Sequence, residues 1–256
     1  MNLYEAMRRD WNRRARDNAF HYIASWREDW DTQSFFQSGE EDYHRLVEPI
    51  LSRHRLDPAG KRMLELGCGT GRMTRSFARQ FGEVLALDVS SEMLVRAKEL
   101  LPQQSNIQWL LEPGPGLSRV ETYAVDFVFS YLVLQHLPSR ELVLVHVREM
   151  LRVLKPGGVF LFQFNGSSRP TMTWKGRLVW GVLDQGWALG LEKLSRALAV
   201  ALKLDPDNVG RTWSGPSIAA QDVRGEVERS SGVELEIQGE NTLMAWCSGV
   251  KSGASR

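Results

Sequence analysis

The chain has 256 residues, 43% of them hydrophobic, and a formal net charge of +1. This length fits one large α/β domain, or one domain with an insertion, and is ample for a buried core. The near-zero charge argues against a bulk electrostatic attraction to nucleic acid or to an anionic membrane. The two cysteines, Cys68 and Cys247, have neither zinc-ligand spacing nor a disulfide framework. They predict a reducing compartment, so we expect a cytoplasmic protein without a metal site.

The N-terminal residues do not have the pattern of a secretory signal. They are polar and charged over residues 4–17, so no secretory signal is expected. No apolar run in the chain approaches the ~20 residues that a membrane span requires. Basic residues cluster between positions 8 and 16, but they alternate with apolar ones and predict the solvated face of a helix.

The first 57 residues are predicted to form a helical cap. Apolar residues recur at helical spacing over 3–19, an aromatic-rich stretch follows at 20–39, and 40–54 is helical again. A turn at 57–60 then leads into the main domain, which we expect over 58–256.

From residue 61 the chain alternates short apolar strands with amphipathic helices, which is the pattern of a parallel sheet with helical crossovers. The pattern predicts strands over 62–66, 84–87, 107–111, 124–130 and 159–164, and helices over 73–81, 91–101 and 140–151. The Pro-Gly-Gly sequence at 156–158 predicts a turn before the fifth strand, with φ > 0 at glycine. Segments 233–237 and 242–250 predict a C-terminal hairpin.

The first predicted strand ends in a glycine-rich turn. Gly67, Gly69 and Gly71 alternate with other residues at this break, where the backbone must make close approaches that a Cβ would forbid. The following helix offers free backbone N–H groups to a ligand, and Asp88 closes the next strand where a ribose would present two hydroxyls. The pattern predicts a nucleotide-cofactor pocket, the alternative being a strand–helix turn without chemical consequence.

The spacing of the turn indicates the kind of cofactor. A hydride cofactor needs G-x-G-x-x-G, and Arg72 is too large for the last position of that pattern. Glu65, before the first glycine, would repel a pyrophosphate but suits a ligand with an ammonium and a sulfonium group. The resulting pattern, E-x-G-x-G-x-G with an acid about 20 residues later, resembles the class I S-adenosylmethionine-dependent methyltransferases.

The resemblance covers residues 61–165 well and 217–250 loosely, and 126–130 and 151–158 look like the family's fourth strand and its turn into the fifth. It implies an α/β fold, a three-layer Rossmann-like methyltransferase sandwich. The mostly parallel seven-stranded sheet of that fold ends in an antiparallel C-terminal hairpin. It also implies S-adenosyl-L-methionine as the cofactor.

The resemblance also implies which residues bind the cofactor. Glu65 would serve the loop and the ammonium group, and Asp88 would accept both ribose hydroxyls. Val89 and Met93 would pack on the adenine, although Met93 is equally consistent with a core residue. Ser130 and Tyr131 would line the methionine end. The full predicted set is Glu65, Gly67, Cys68, Gly69, Gly71, Asp88, Val89, Met93, Glu112, Ser130 and Tyr131.

One position departs from the family pattern. The family commonly has an acid just after the third strand that accepts the adenine amino group, and Pro113 stands at that place here. Glu112 is displaced by about one position. We expect Glu112 to take this role, the alternative being backbone groups of the Pro/Gly-rich loop.

The resemblance places His136 and Gln135 at the mouth of the pocket. A histidine there could act as a general base for a hydroxyl acceptor, since its pKa lies near neutrality. The alternative is a histidine at a helix start that bonds only to backbone or solvent.

In the family the N-terminal segment often folds over the pocket. In this chain that segment would bring in His21, Tyr22, Trp26 and Arg27. Aromatic core packing is the alternative for Trp26.

A helical insertion is predicted at about 169–212. It is aromatic-rich and amphipathic, with charged residues that interrupt the apolar pattern. Because ligands bind beyond the carboxyl ends of the strands, an insertion after the fifth strand could roof the substrate pocket. The alternative is helices that pack on the core or on a second subunit, which would make a homodimer possible.

The expected function is methyl transfer from S-adenosylmethionine to a small or medium organic acceptor, for which the aromatic insertion favours an apolar or aromatic compound. The first alternative is a protein that binds S-adenosylmethionine or S-adenosylhomocysteine without transferring methyl groups. A transferase of another group from a related nucleoside would have paired acids in place of Ser130 and Tyr131. The neutral charge and the absence of an Asn/Asp-Pro-Pro-Tyr-like segment argue against nucleic acid as substrate.

Overall fold

The computed structural model describes residues 3–112, 114–166, 174–204, 206, 209, 215–230 and 233–252. The strands are β1 Arg62–Leu66, β2 Glu83–Asp88, β3 Ile107–Leu111, β4 Val125–Ser130, β5 Leu154–Phe164, β6 Val233–Gln238 and β7 Ala245–Lys251. The helices are α1 Leu3–Ile23, α2 Thr32–Asp42, α3 Glu48–Arg53, α4 Thr74–Gln80, α5 Ser91–Leu100, α6 Arg140–Val153, α7 Trp174–Ala188, α8 Glu192–Ala201 and α9 Ala220–Arg229. A π-helical turn, Tyr43–Val47, joins α2 to α3, and a 3₁₀ turn, Leu134–His136, follows β4.

The described strands form one seven-stranded sheet in the order β3-β2-β1-β4-β5-β7-β6. The first five strands are parallel, and β7 pairs antiparallel with both β5 and β6. This confirms the mostly parallel sheet with its antiparallel C-terminal hairpin. The order reverses between β1 and β4, so the carboxyl ends of these strands open a crevice, where open α/β sheets bind ligands.

Two apolar layers cover the faces of the sheet. Alternate residues of each strand point to opposite faces, so Leu64 and Val128 belong to one cluster while Met63 and Phe127 belong to the other. The first cluster includes residues of α6 and α9, and the second includes residues of α3 and α4. The result is the three-layer sandwich that the sequence predicts.

The structure corrects several boundaries. The aromatic stretch 20–39 contains most of α2, which begins where the Asp31 carboxylate accepts a hydrogen bond from the Ser34 backbone N–H at 2.9 Å. Helix α1 continues to Ile23 across a break at Asn18. Strand β7 starts at Ala245 because a turn, in which the Thr242 N–H donates to the Gly239 carbonyl at 2.9 Å, ends the connection later than predicted.

The Pro-Gly-Gly turn lies inside β5 rather than before it. The pairing of β4 with β5 passes from Val125–Leu154 directly to Phe127–Val159, so the turn bulges out of the strand. Gly157 has φ +79°, as the sequence requires of a glycine there.

Helices α7 and α8 lie within the predicted insertion, and the ends of that insertion fall outside the described residues. Among the helices that the structure describes, none combines the length and apolarity needed to cross a bilayer. The division into a cap at 1–57 and a main domain at 58–256 stays a prediction.

Candidate cofactor and acceptor site

A crevice lies at the carboxyl ends of β1, β2 and β4, where open α/β sheets bind their ligands. Its lining comes from five parts of the chain: the end of β1 with the glycine turn, the end of β2 with the start of α5, the segment after β4, α1, and His146 of α6. Tyr4, Met7 and Trp11 of α1 form part of the wall. The N-terminal helix therefore covers the crevice, with its apolar residues facing inward.

The three glycines of the turn all have positive φ, at +77° for Gly67, +55° for Gly69 and +89° for Gly71. A Cβ on Gly67 would stand 2.1 Å from the Val133 side chain, and one on Gly69 would stand 2.7 Å from the Ile23 side chain. The backbone N–H groups of Gly67 and Cys68 both donate to the Leu87 carbonyl, at 2.7 and 3.0 Å. Glycine is thus required for both conformation and space.

Gly67 and Gly69 line the crevice, whereas Cys68 and Gly71 do not. The Cys68 side chain is buried in the core cluster beneath the turn. Gly71 faces the other way, because a Cβ there would approach Leu101 at 2.8 Å. The direct roles predicted for Cys68 and Gly71 stay predictions, and the structure places both residues behind the cofactor side of the turn.

Asp88 lines the crevice and fixes its shape. One carboxylate oxygen accepts from the Gly69 N–H at 2.8 Å, and the other accepts from the Ser90 N–H at 2.8 Å. Burial raises the pKa of Asp88 to about 6, and these backbone hydrogen bonds oppose the rise. Each carboxylate oxygen has a further lone pair, so two more donors, such as the hydroxyls of a ribose, can bond there.

Glu65 is buried below the turn and does not line the crevice. Its carboxylate accepts from the Thr74 hydroxyl at 2.5 Å, which ties β1 to the first turn of α4. Burial raises the pKa of Glu65 to about 8, while the Thr74 bond and the charge of Arg72 lower it. A contact with an ammonium group, as the sequence predicts, stays a prediction.

Ser130 and Tyr131 differ in their placement. The Ser130 hydroxyl is buried and donates to the Leu66 carbonyl at 3.2 Å, so it joins β4 to β1 and does not line the crevice. Tyr131 lines the crevice, together with Val89, which follows β2, and Met93 of α5. Burial raises the pKa of Tyr131 above its ordinary value.

Glu112 is buried just outside the crevice lining. Its carboxylate accepts from the Ser118 hydroxyl at 3.2 and 3.1 Å, and from the Gly114 N–H at 3.4 Å. These bonds fold the loop after β3 back on itself. Pro113, at the position where the family has its acid, lies outside the described residues.

His146 of α6 lines the crevice near Glu112, and sequence reasoning missed it. Its ring stacks on Tyr4, with centroids 6.2 Å apart and planes 13° apart. Because a carbonyl only accepts, the 2.7 Å contact with the Leu142 carbonyl places the ring hydrogen on Nδ1. Burial lowers the pKa of His146, so the ring is neutral and Nε2 is a hydrogen-bond acceptor.

A second cavity, of about 980 Å³, shares Tyr22, Ile23, Tyr131, Leu132 and His136 with the crevice. Its other lining residues are Ser25, Trp26, Gln135, Asn165, Leu243 and Met244. Trp26, Leu243 and Met244 are exposed at its edge, while His136 and Asn165 are buried. The two spaces meet at His136, so a ligand in each could touch the other there.

A row of hydrogen bonds orients His136. The Gln135 amide nitrogen lies 3.2 Å from His136 Nε2, and since an amide nitrogen only donates, that ring nitrogen accepts. The Gln163 amide donates to the Gln135 side-chain oxygen at 3.2 Å and to the Leu243 carbonyl at 2.8 Å. The Trp11 ring meets the His136 ring edge-on at 5.2 Å. Gln163, a buried polar residue of β5, had no local sequence pattern to mark it.

The other predicted N-terminal residues separate into two pairs. Tyr22 lines both the crevice and the second cavity, and Trp26 lines the second cavity. His21 and Arg27 line neither: the Arg27 guanidinium donates to Asp29 at 2.8 Å, and a ring nitrogen of His21 lies 3.4 Å from the Arg27 carbonyl. Arg27 and Asp29 are both exposed and form a surface ion pair.

Arg72 fastens the N-terminal helices to the glycine turn. Its buried guanidinium lies 2.8 Å from the Asp42 carboxylate and donates to the Ser38 hydroxyl at 3.2 Å. The same group faces the rings of Trp26 and Tyr131 at 5.3 and 5.8 Å. Arg72, whose size argues against a hydride cofactor at this position, therefore holds α2 against the glycine turn.

Residues 64–162 match a family model described as a methyltransferase domain. The chain is 32% identical over 136 residues to a trans-aconitate 2-methyltransferase from Azoarcus sp. (strain BH72), which covers 52% of this chain and 50% of that protein. It is 35% identical over 114 residues to a ubiquinone biosynthesis O-methyltransferase from Xanthomonas oryzae pv. oryzae (strain PXO99A), with 43% and 46% covered. The chain thus spans about half the length of the curated relatives it matches.

The fold matches solved structures along nearly the whole chain. The magnesium protoporphyrin IX methyltransferase of Synechocystis PCC 6803, solved with bound SAH, has a TM-score of 0.60 and 15% identity, and 98% of this chain and 100% of that chain are covered. At this identity the likeness shows the fold. Residues 64–162, from β1 to β5, are thus similar to the methyltransferase domain in sequence, and the chain has the fold of the solved methyltransferase.

Proposed function

We propose that this chain transfers the methyl group of S-adenosylmethionine to a small or medium organic acceptor. The observation that carries the proposal is the Asp88 carboxylate, which lines the crevice and is bonded to the Gly69 N–H of the glycine turn. The adjoining cavity, which reaches the crevice at His136, provides the place for an acceptor.

The residues present fit this cofactor. The lone pairs of Asp88 that the backbone leaves available suit the two hydroxyls of a ribose. Gly67 and Gly69 keep the floor of the crevice free of side chains, and Val89 and Met93 offer apolar contact to a purine. S-adenosylmethionine supplies a methyl group on a sulfonium, which is already a good leaving group, so alignment and exclusion of water are the main tasks of the protein.

The adenine amino group has two candidate acceptors. Glu112 is the acceptor that the sequence predicts, and its carboxylate is already bonded to Ser118 and Gly114. His146 is favoured by its position in the crevice lining and by its Nε2, which is an acceptor in the neutral ring. We propose that His146 Nε2 accepts the amino group.

The second cavity favours an acceptor with one polar end and an apolar body. Gln135, His136 and Asn165 are polar, whereas Trp26 and Leu243 at the edge are apolar. Two relatives have names that refer to quinone compounds: the ubiquinone biosynthesis O-methyltransferase above and a 2-methyl-6-phytyl-1,4-hydroquinone methyltransferase of Synechocystis sp.. We therefore propose a phenol or a similar hydroxyl compound. Its hydroxyl would replace the Gln135 amide at Nε2 of His136, and that nitrogen would take its proton.

The test is transfer of a labelled methyl group from S-adenosylmethionine to a panel of phenols, carboxylates and amines. Transfer to a phenol that is lost with His136→Asn supports the proposal in full. Binding of the cofactor without transfer to any acceptor would instead support the alternative of a binding protein. The cytoplasmic location and the homodimer stay predictions from the sequence.

A further inference from the structure

Helix α8 exposes its large apolar side chains, while two of its small residues, Ser195 and Ala199, are buried. Leu194 and Leu198 are 64% and 42% exposed, whereas Ser195 and Ala199 are 5% and 0% exposed. A surface helix ordinarily turns its leucines inward. Here the small residues set the packing, because a Cβ on Gly186 of α7 would stand only 2.5 Å from the Ser195 hydroxyl oxygen. The outward leucines are therefore a consequence of how α7 and α8 pack.

The exposed apolar residues concentrate on this helical pair. Among the described residues, eight of the thirteen large apolar side chains that are exposed lie within 174–204, five of them in the two helices and three in the turns that follow the helices. We call them the hairpin face: Leu178, Val182, Leu189, Leu191, Leu194, Leu198, Val200 and Leu202. Apolar exposure concentrated in this way marks a surface that contacts a partner or a lipid.

The charge of the same segment is basic. Residues 174–204 contain five Lys and Arg and two Asp and Glu, a net charge of +3, whereas the chain as a whole has +1. The rest of the chain is therefore at −2, and the near-neutral total conceals a basic segment. Lys193 and Lys203 are exposed beside the leucines. Of the two acids, Glu192 lies 3.8 Å from Arg13 of α1.

We propose that the hairpin face docks on an anionic lipid surface and lies in the headgroup region without crossing the bilayer. Leucines on one face with lysines beside them are the composition of interfacial helices. The lysine stems can extend along the apolar surface while their ammonium groups reach lipid phosphates. A second copy of the chain fits less well, because a two-fold contact would set one +3 segment against the other.

Docking would bring the site close to the lipid. Ala6 of α1 packs in one cluster with Leu183 and Trp187 of α7. The same helix lines the crevice through Tyr4 and Met7. The pair of helices α7 and α8 thus lies against α1, the helix that covers the cofactor crevice. The inference does not require the proposed function, since lipid binding can be measured without any methyl acceptor.

The experiment is sedimentation of the full chain with vesicles of phosphatidylcholine, with and without phosphatidylglycerol. We expect binding to the anionic vesicles that weakens as salt is added. Leu194→Ser with Leu198→Ser should lower the affinity roughly tenfold for each leucine removed. The matched control is Val95→Ser on α5, 52% exposed and outside the hairpin, which should bind as the wild type does.

Charge reversal gives a second variant that does not depend on the leucines. Lys193→Glu with Lys203→Glu should abolish the preference for phosphatidylglycerol, and both residues are exposed, so the fold should persist. The proposal is overturned if the folded wild type binds no anionic vesicles, or if both double variants bind as the wild type does. It is also overturned if sedimentation velocity shows a dimer that the leucine variant converts to monomer, since a second copy would then occupy the face.

Discussion

The Asp88 carboxylate and the backbone N–H of Gly69 lie 2.8 Å apart, so the acid that ends β2 directly holds the glycine turn that ends β1. The other oxygen of the same carboxylate accepts from Ser90, whose hydroxyl in turn accepts from the Met93 N–H at 3.1 Å to cap α5. One side chain therefore sets the relative positions of the turn and of α5. Any ligand that bonds to Asp88 meets a carboxylate that is already oriented.

The glycine turn provides a test of close approach. Gly67→Ala should destabilise the protein and weaken binding of S-adenosylhomocysteine, because the added methyl would stand 2.1 Å from Val133. Gly157→Ala is the matched control: its φ of +79° is nearly the same, and nothing lies within 4 Å of a Cβ there. The free energy of unfolding should fall by about 1–2 kcal/mol in both variants because of backbone strain. In Gly67→Ala it should fall by about 1–3 kcal/mol more because of the clash with Val133.

Urea unfolding measures both variants. Adding Val133→Ala to Gly67→Ala should restore part of the loss, since it removes the methyl groups that clash. Equal free energies of unfolding for the two alanine variants would show that space at Gly67 does not matter.

Glu65 makes stability depend on pH. Its pKa is about 8 in the folded chain, against an ordinary value of 4.5, so the folded state holds a proton that the unfolded state has lost over this range. The stability from this group is therefore complete below about pH 4.5 and is lost as the pH rises through about 8. Between pH 6 and pH 8 the loss should be about 2 kcal/mol.

The measurement is the free energy of unfolding at both pH values for the wild type and for Glu65→Gln. The glutamine variant should show a flatter dependence, because no proton is exchanged at this position. Glu228→Gln, at an exposed residue of α9, serves as the control and should keep the wild-type slope. If the free energy of unfolding of Glu65→Gln depended on pH as steeply as that of the wild type, the raised pKa could not be assigned to Glu65.

The adenine contact can be tested with an analogue. S-inosylhomocysteine has a carbonyl in place of the amino group, so the wild type should bind it roughly tenfold or more weakly than S-adenosylhomocysteine. His146→Leu should remove this discrimination while keeping the affinity for the inosyl compound, which also shows that the variant is folded. Glu112→Gln should retain the discrimination. The opposite result, with discrimination lost only in Glu112→Gln, would assign the contact to the residue that the sequence predicts.

His136 should affect turnover more than cofactor affinity. With a hydroxyl acceptor, His136→Asn should lower kcat by about 10²–10⁴-fold, because the base that takes the acceptor proton is gone. The affinity for S-adenosylhomocysteine should change little. Gln163→Leu breaks the hydrogen bonds that orient Gln135 and should give a smaller loss of kcat. Full activity of His136→Asn with a phenol would exclude His136 as the general base.

The sequence predicts well what depends on neighbours along the chain. The strands, the glycine turn and Asp88 follow from local apolar runs and from residues that suit φ > 0, and the structure contains the strands, the turn and Asp88 at the end of β2. Ser90 is a residue type favoured at helix N-caps, and its hydroxyl accepts from the Met93 N–H. Helix α2 was missed because the aromatic pattern of 20–39 concealed the Asp31 cap.

The rest of the site depends on contacts between distant residues. His146 has the spacing of a core position in α6. It becomes part of the crevice wall because Tyr4 of the distant helix α1 stacks against its ring. Gln163 lies in an apolar strand, and its partners Gln135 and Leu243 come from other parts of the chain. The link between Arg72 and Asp42 joins residues 30 positions apart, which no local pattern indicates.

Calorimetric titration of the purified chain with S-adenosylhomocysteine tests the central claim most directly. The wild type should bind one equivalent, and Asp88→Ala should lose roughly tenfold or more in affinity, as expected when hydrogen bonds to a charged group are removed. Asp126→Asn, which breaks the 2.9 Å contact with Lys155 at the start of β4, should bind as the wild type does. Absence of binding to the folded wild type, or equal affinities for the wild type and Asp88→Ala, would contradict the account.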